Sequence, residues 1–212
     1  MSCCGLVLFD LGDVIASWDP APRLSAYARR SGRSIDEVVR RLSAGGFWED
    51  TDRGGYSAAQ MHEQICERLG VAFSRDEILE LQAMAFTVRP EVVRIAEELS
   101  ATHRVGILTN NAPLLRDAFP LHFPELVRVF SPILYSFQFG HTKPERALFE
   151  AVAMELALAP ADIFFIDDQL RHVSGARSAG WQAVQFESVG QLRSALAERI
   201  GLIAPTAGAR PR

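Results

Sequence analysis

The sequence predicts an α/β fold, a doubly wound parallel sheet with a helical bundle inserted into it, and three observations carry that expectation. The chain opens on an apolar run, Leu6-Val-Leu-Phe, that stops at an acid, Asp10. From about Trp18 to Phe86 the pattern is helical, and from Arg89 onward helix and strand patterns alternate, as they do where helices wrap a parallel sheet. The 212 residues, 48% of them hydrophobic, suffice for one core of ordinary size plus an insertion.

The first strand is expected at residues 6–9, after which Leu11-Gly12-Asp13 turns the chain. Asp10 then stands at the carboxyl lip of a buried strand, the edge outside which open parallel sheets bind ligands. A helix over residues 20–30 follows, tolerating a proline in its first turn and closed by Gly32. Ser34 with Glu37, Ser57 with Gln60 and Ser74 with Glu77 each place a hydroxyl three residues before an acid or amide, marking three more helix starts. Val38, Val39 and Leu42, and likewise Met61, Ile65 and Leu69, recur at helical spacing and give each helix a face to bury. Four short helices in this interval read as a small bundle, a lid over the strand ends. The glycine-flanked connection from Gly45 to Gly55 carries Phe47 and Trp48, which either plug the bundle or face a substrate.

Beyond Arg89 the expected order is a helix at 90–101, a strand at 105–108 ending in Thr109-Asn110-Asn111, and an irregular stretch at 113–132 interrupted by Pro120 and Pro124. A strand at 133–137 leads to Lys143 and to a helix at 145–156 with Pro144 in its first position. A strand at 163–166 ends in Asp167-Asp168. A helix at 170–179 closed by Gly180, a strand at 182–186 and a helix at 189–200 complete the core, and residues 204–212 have too little apolar content to pack.

Composition excludes several partner classes. A formal net charge of -4 and a pI near 5.8 make no electrostatic case for nucleic acid or an anionic membrane. No apolar run approaches the roughly 20 residues that span a bilayer. Cys3, Cys4 and Cys66 are odd in number and lack zinc-site spacing, which points to a reducing, cytoplasmic compartment. A soluble monomer or homodimer is expected.

Asp10, Thr109, Asn110, Lys143, Asp167 and Asp168 all fall at the strand ends of one sheet edge. Carboxylates gathered there repel one another, and a hard divalent cation with oxygen ligands resolves this most cheaply; Mg2+ fits best. With a lysine and a hydroxyl alongside, the set describes a pocket for a dianion such as phosphate, with Asp10 able to attack phosphorus.

Phe9-Asp10-Leu-Gly-Asp-Val-Ile15, Leu108-Thr109-Asn110, Lys143-Pro144 and Phe165-Ile-Asp167-Asp168, in that order, resemble the four motifs of the haloacid dehalogenase superfamily of hydrolases. The resemblance implies a Rossmann-like core at residues 1–16 and 88–203 with a type 1 α-helical cap at 17–87. It also implies Asp10 as the nucleophile that forms an aspartyl-phosphate, the Gly12 carbonyl and Asp168 as magnesium ligands, and Asp167 beside them in the metal set. Thr109 and the Asn110 amide would then hold phosphate oxygens, while Lys143 neutralises the nucleophile and the transferring group. Phe47 and Trp48 would face the substrate from the cap. Two positions depart from the pattern: Gly12 stands where phosphatases of the family carry a second, acid–base Asp, and His172 stands where relatives with paired acids have Asn. The motif style resembles that of the sugar-phosphate phosphatases, which implies a phosphatase of a small phosphorylated metabolite. The absent second Asp keeps two other readings open, a metal-free 2-haloacid dehalogenase and a phospho-ligand-binding protein without turnover.

Overall fold

The computed structural model describes residues 4–200; the expected tail at 204–212 lies outside them, as does Cys3. Five parallel strands form the central sheet: β1 (Leu6–Phe9), β4 (Arg104–Thr109), β5 (Ile133–Tyr135), β6 (Ile163–Asp167) and β7 (Gln182–Gln185), in the order β5-β4-β1-β6-β7. β1 is the middle strand and is buried along its whole length. It pairs with β4 on one side, Phe9 opposite Ile107, and with β6 on the other, Phe9 opposite Ile166. The strand order reverses at β1, so the residues that follow it enter the crevice where sheets of this kind bind ligands.

Successive side chains of a strand point to opposite faces, and the core divides accordingly. Val7, Phe9, Ile107, Phe164 and Ile166 pack under α6 (Pro90–Ser100) and α11 (Val189–Ile200) through Val92, Ile95, Leu99, Leu192 and Leu196. Leu6, Leu8, Leu108, Ile163 and Phe165 pack under α9 (Arg146–Glu155) and α10 (Leu170–Ser178) through Leu148, Phe149, Val152, Val173 and Ala176. A doubly wound, Rossmann-like α/β fold results, as the sequence predicts.

The inserted segment holds five helices rather than four: α1 (Ala21–Ser31), α2 (Ile35–Ser43), α3 (Phe47–Asp52), α4 (Ala58–Leu69) and α5 (Arg75–Ala83). Two of the three capping boxes close in both directions, at Ser57 with Gln60 and at Ser74 with Glu77. At Ser34 only the hydroxyl half forms, because the Glu37 carboxylate is drawn to Arg33 and Arg41 instead. The bundle has its own core of Tyr27, Val38, Leu42, Phe47, Ile65 and Leu69, which continues into Leu114 and Ala118 of α7 (Pro113–His122).

Three further features correct the sequence reading. Where the chain enters and leaves the bundle, β2 (Ala16–Trp18) and β3 (Phe86–Val88) pair antiparallel as a small ribbon, Trp18 opposite Phe86. Residues 113–132 hold two helices, α7 and α8 (Pro124–Val129). Pro120 is tolerated within α7 because it is exposed near the helix end, where water can take the carbonyl that its missing N–H leaves free. Pro144 lies before the helix it was expected to start, since α9 takes Glu145 as its N-cap.

Candidate active site

Asp10 follows β1, and its main-chain N–H donates to Ile166 of β6 at 2.8 Å, which fixes it in the middle of the sheet's carboxyl edge. β4 delivers Thr109 at its last position with Asn110 next, β6 delivers Asp167 and then Asp168, and Lys143 arrives from the segment between β5 and α9. The structure brings these residues together. Lys143 Nζ lies 2.8 Å from Asp10 Oδ1 and 2.7 Å from Asp167 Oδ2, and it donates to the Leu108 carbonyl at 3.3 Å. A lone lysine is ordinarily solvated; this one is 3% exposed.

One ammonium thus serves two buried carboxylates, and their remaining partners decide which is favoured as an anion. Burial raises the Asp10 carboxyl above its ordinary range; Lys143 pulls it down, and the charge on Asp167 pushes it further up. Burial also works against ionised Asp167, yet Lys143 and His172 outweigh it and hold that carboxyl low. Asp167 also accepts from the Gln169 N–H at 2.9 Å and from His172 Nδ1 at 2.9 Å, so both its oxygens are engaged. Burial works against the Lys143 ammonium as well, but the two acids raise it above the usual lysine range. Asp168 is half-buried, and its carboxyl is raised by burial first, then by Asp167 and Asp13.

Several predicted residues take forms the sequence did not specify. The Asn110 side chain is committed to the backbone of Lys143: Nδ2 donates to its carbonyl at 2.9 Å and Oδ1 accepts from its N–H at 2.8 Å. The main-chain N–H of Asn110 and the second Nδ2 proton are therefore what it has left to offer a phosphate. The Thr109 hydroxyl accepts from Asn111 Nδ2 at 2.7 Å, which leaves its own proton available to a ligand oxygen. Asp13 has φ of 57°, accepts from the Trp18 N–H at 3.2 Å and pairs with Arg89 at 3.6 Å. His172 is buried against Asp167, and its Nε2 has no hydrogen-bond partner among the described residues.

Asp10, Gly12, Thr109, Asn110, Lys143 and Asp168 open on a cavity of about 530 Å³, within the range usual for small-molecule sites. The bundle covers it, and Trp48 lines it. Phe47 departs from the expectation that both aromatics face the substrate: it is fully buried in the bundle core, edge-on to Tyr56 with the Arg68 guanidinium 4.5 Å from its ring centre, and it does not line the cavity. The helical start at Phe47 separates the two, since adjacent residues on a helix diverge by about 100°.

Sequence reasoning missed Arg23, Asp52 and Gln82, which line the bundle side of the cavity from α1, α3 and α5. No local pattern distinguishes them from the solvated charges of an amphipathic helix. It also passed over Gly175, whose place inside α10 was the available signal. A Cβ there would overlap the Pro144 carbonyl oxygen, so glycine lets α10 press against the segment that carries Lys143.

The family model of haloacid dehalogenase-like hydrolases matches residues 5–180. Phosphatase MT3486 of Mycobacterium tuberculosis is 28% identical over 196 residues, 88% of this chain and 89% of that protein. D-ribitol-5-phosphate phosphatase of Bacteroides thetaiotaomicron is 21% identical over 90% of this chain and 95% of that protein. Among solved structures, a HAD family enzyme of Bacteroides thetaiotaomicron in complex with magnesium and inorganic phosphate superposes with a TM-score of 0.75 at 20% identity, covering 86% of this chain and 94% of the other. With the family model spanning the whole four-motif cluster, from before Asp10 to beyond Asp168, this chain belongs to the haloacid dehalogenase-like hydrolases.

Proposed function

We propose that this protein is a magnesium-dependent phosphatase of a small phosphorylated metabolite, acting through an aspartyl-phosphate on Asp10. The observation that carries the reading is the placement of Asp10: Oδ1 is held by Lys143 and by the Leu11 N–H at 2.7 Å, while Oδ2 accepts no hydrogen bond among the described residues and the side chain lines the cavity. An anchored carboxylate with one free oxygen facing a ligand cavity is placed to attack. The relatives named as phosphatases support the same reading.

The donor set fits a hard cation. The Asp10 carboxylate, the Gly12 carbonyl and the Asp168 carboxylate belong to residues lining one cavity, and the Gly12 carbonyl accepts no hydrogen bond among the described residues. Asp10, Asp167 and His172 form a tighter group, with ligand atoms within 4.8 Å of one another, but Lys143 sits between the two acids and His172 is bonded to Asp167. Asp10, Gly12 and Asp168 would therefore hold the metal, with Asp167 supporting them from beneath. When bound, magnesium supplies charge neutralisation and orientation at the phosphoryl oxygens.

In this reading Asp10 attacks phosphorus, its bond to phosphorus forms as the ester P–O bond breaks, and the leaving alcohol departs with a proton from solvent. Thr109 Oγ1 and the Asn110 N–H donate to phosphoryl oxygens, and Lys143 offsets the negative charge gathered around Asp10. Water then cleaves the aspartyl-phosphate. The test is a hydrolysis screen on a panel of phosphate esters with magnesium and with EDTA. Release of phosphate that needs magnesium supports the reading, whereas EDTA-resistant turnover of 2-haloacids with no ester cleaved would replace it.

A further inference from the structure

The bundle side of the cavity carries two opposite charges, Arg23 and Asp52, that attract each other with no salt bridge between them among the described residues. Arg23 of α1 donates through Nη1 to Gln82 Oε1 at 3.2 Å, and its guanidinium carbon lies 5.1 Å from the centre of the Trp48 ring. Its Nε is buried with no hydrogen-bond partner among the described residues. Gln82, itself buried, is oriented by donating Nε2 to the Tyr27 hydroxyl at 2.9 Å, so its carbonyl is turned to Arg23. Asp52, at the end of α3, forms no ion pair with Arg23, and its carboxylate accepts no hydrogen bond among the described residues. All four side chains line the cavity that holds Asp10.

A buried donor without a partner and a half-buried carboxylate on one wall each lack hydrogen bonds that a ligand could supply. An apolar leaving group would bury both without a partner. An anionic leaving group would satisfy Arg23 but meet Asp52 with like charge. A chain of neutral hydroxyls serves both, since each can accept from Arg23 and donate to Asp52, while the indole of Trp48 covers its C–H surface. We infer that Arg23, Asp52, Gln82 and Trp48 form a subsite for a polyhydroxylated leaving group, so that the substrates are monophosphates of polyols or sugars. This rests on the phosphatase reading for its chemistry but not for its recognition.

Burial supports the assignment, because it lowers the Arg23 guanidinium below its ordinary range and pushes the Asp52 carboxyl, together with nearby Glu49, up to about 7. Both groups are thus short of the solvation that an occupant would replace.

Binding and turnover separate the two claims. Calorimetry on the Asp10→Asn protein with magnesium compares ribitol 5-phosphate, pentyl phosphate and a phosphorylated carboxylic acid of equal length. Sites built to bond a hydroxyl discriminate strongly against analogues lacking it, so ribitol 5-phosphate is expected to bind at least about tenfold more tightly than either. Asp52→Ala and Arg23→Ala, each in the Asp10→Asn background, should remove most of that preference, with Asp52→Asn retaining part of it. Equal affinity for the three ligands, tighter binding of the acid, or a preference unmoved by both alanine variants would overturn the subsite. Failure of the Asp10-intact protein to release phosphate from any ester would instead count against the phosphatase reading and leave the binding comparison to decide the subsite.

Discussion

At the scale of single residues, the two adjacent acids after β6 have opposite surroundings and should fail in opposite ways. Asp167 ties Lys143 and His172 together in full burial, so Asp167→Ala leaves each of them one partner short and should cost about 1–3 kcal/mol, while Asp10 still balances the ammonium. Asp168 is half-buried, and burial first, then the like charges of Asp167 and Asp13, raise its carboxyl, so Asp168→Ala should leave the melting temperature unchanged or slightly higher. Magnesium added to the wild-type protein should raise its Tm by mass action, and Asp168→Ala should abolish that rise. Thermal melts with and without magnesium check both variants; equal destabilisation by the two would contradict the division of labour. Gly12 makes a second residue-scale test. Its φ is not in the left-handed region, and an added Cβ would meet only Trp18 Cβ at an ordinary 3.7 Å, so a side chain fits there without strain. General acid help is worth on the order of 10²- to 10⁴-fold, so Gly12→Asp should raise the rate on alkyl phosphates by up to that range while changing p-nitrophenyl phosphate much less. Equal gains on both esters would mean that leaving-group protonation is not what Gly12 lacks.

At the scale of elements, α3 joins the bundle to the core and sets the two aromatics apart. Phe47→Ala empties a fully buried site and should cost about 3–5 kcal/mol without reordering substrates. Trp48→Ala should change the ranking of substrates at little cost in stability, which denaturation and a kcat/KM panel measure together. The end of α3 is also fastened to the core: Arg53 pairs with Glu145, Ser136 Oγ donates to the Asp52 carbonyl at 2.7 Å, and a Cβ on Gly54 would meet the Phe137 carbonyl oxygen at 2.5 Å. Arg53, with Thr142 and His141, lowers the Glu145 carboxyl from 4.5 to about 2. Because the folded value is the lower one, the stabilisation is complete above the unfolded value and is lost as pH falls toward about 2. The Tm gap between wild type and Glu145→Gln should therefore shrink on acidification from neutral pH, and a gap independent of pH would show that the pair does not bear on stability. Partial exposure of both side chains keeps the gap small.

At the scale of the whole molecule, what the sequence made legible follows from where information is local. Buried parallel strands announce themselves as apolar runs, and an acid or hydroxyl ending such a run marks the carboxyl edge, so Asp10, Thr109 and Asp167 could be placed before any coordinates. Capping chemistry located the starts of α2, α4 and α5 for the same reason. The β2–β3 ribbon was illegible, because its strands are three residues each and pair across the whole bundle. Phe47 and Trp48 could not be told apart without the start of α3, and the wall of Arg23, Asp52 and Gln82 is assembled from three helices whose packing no local pattern encodes. The central claim, that Asp10 carries the phosphoryl group between two half-reactions, is most directly tested by acid-quenching the enzyme during turnover of p-nitrophenyl phosphate with magnesium. Gly12 supplies no base for the second half-reaction, so the covalent species should accumulate. The account predicts a burst of nitrophenol matching the enzyme concentration, with one phosphoryl mass on the peptide containing Asp10 and none on the Asp10→Asn protein. A phosphoryl group mapped to another residue, or undiminished turnover by a pure Asp10→Asn protein, would contradict it.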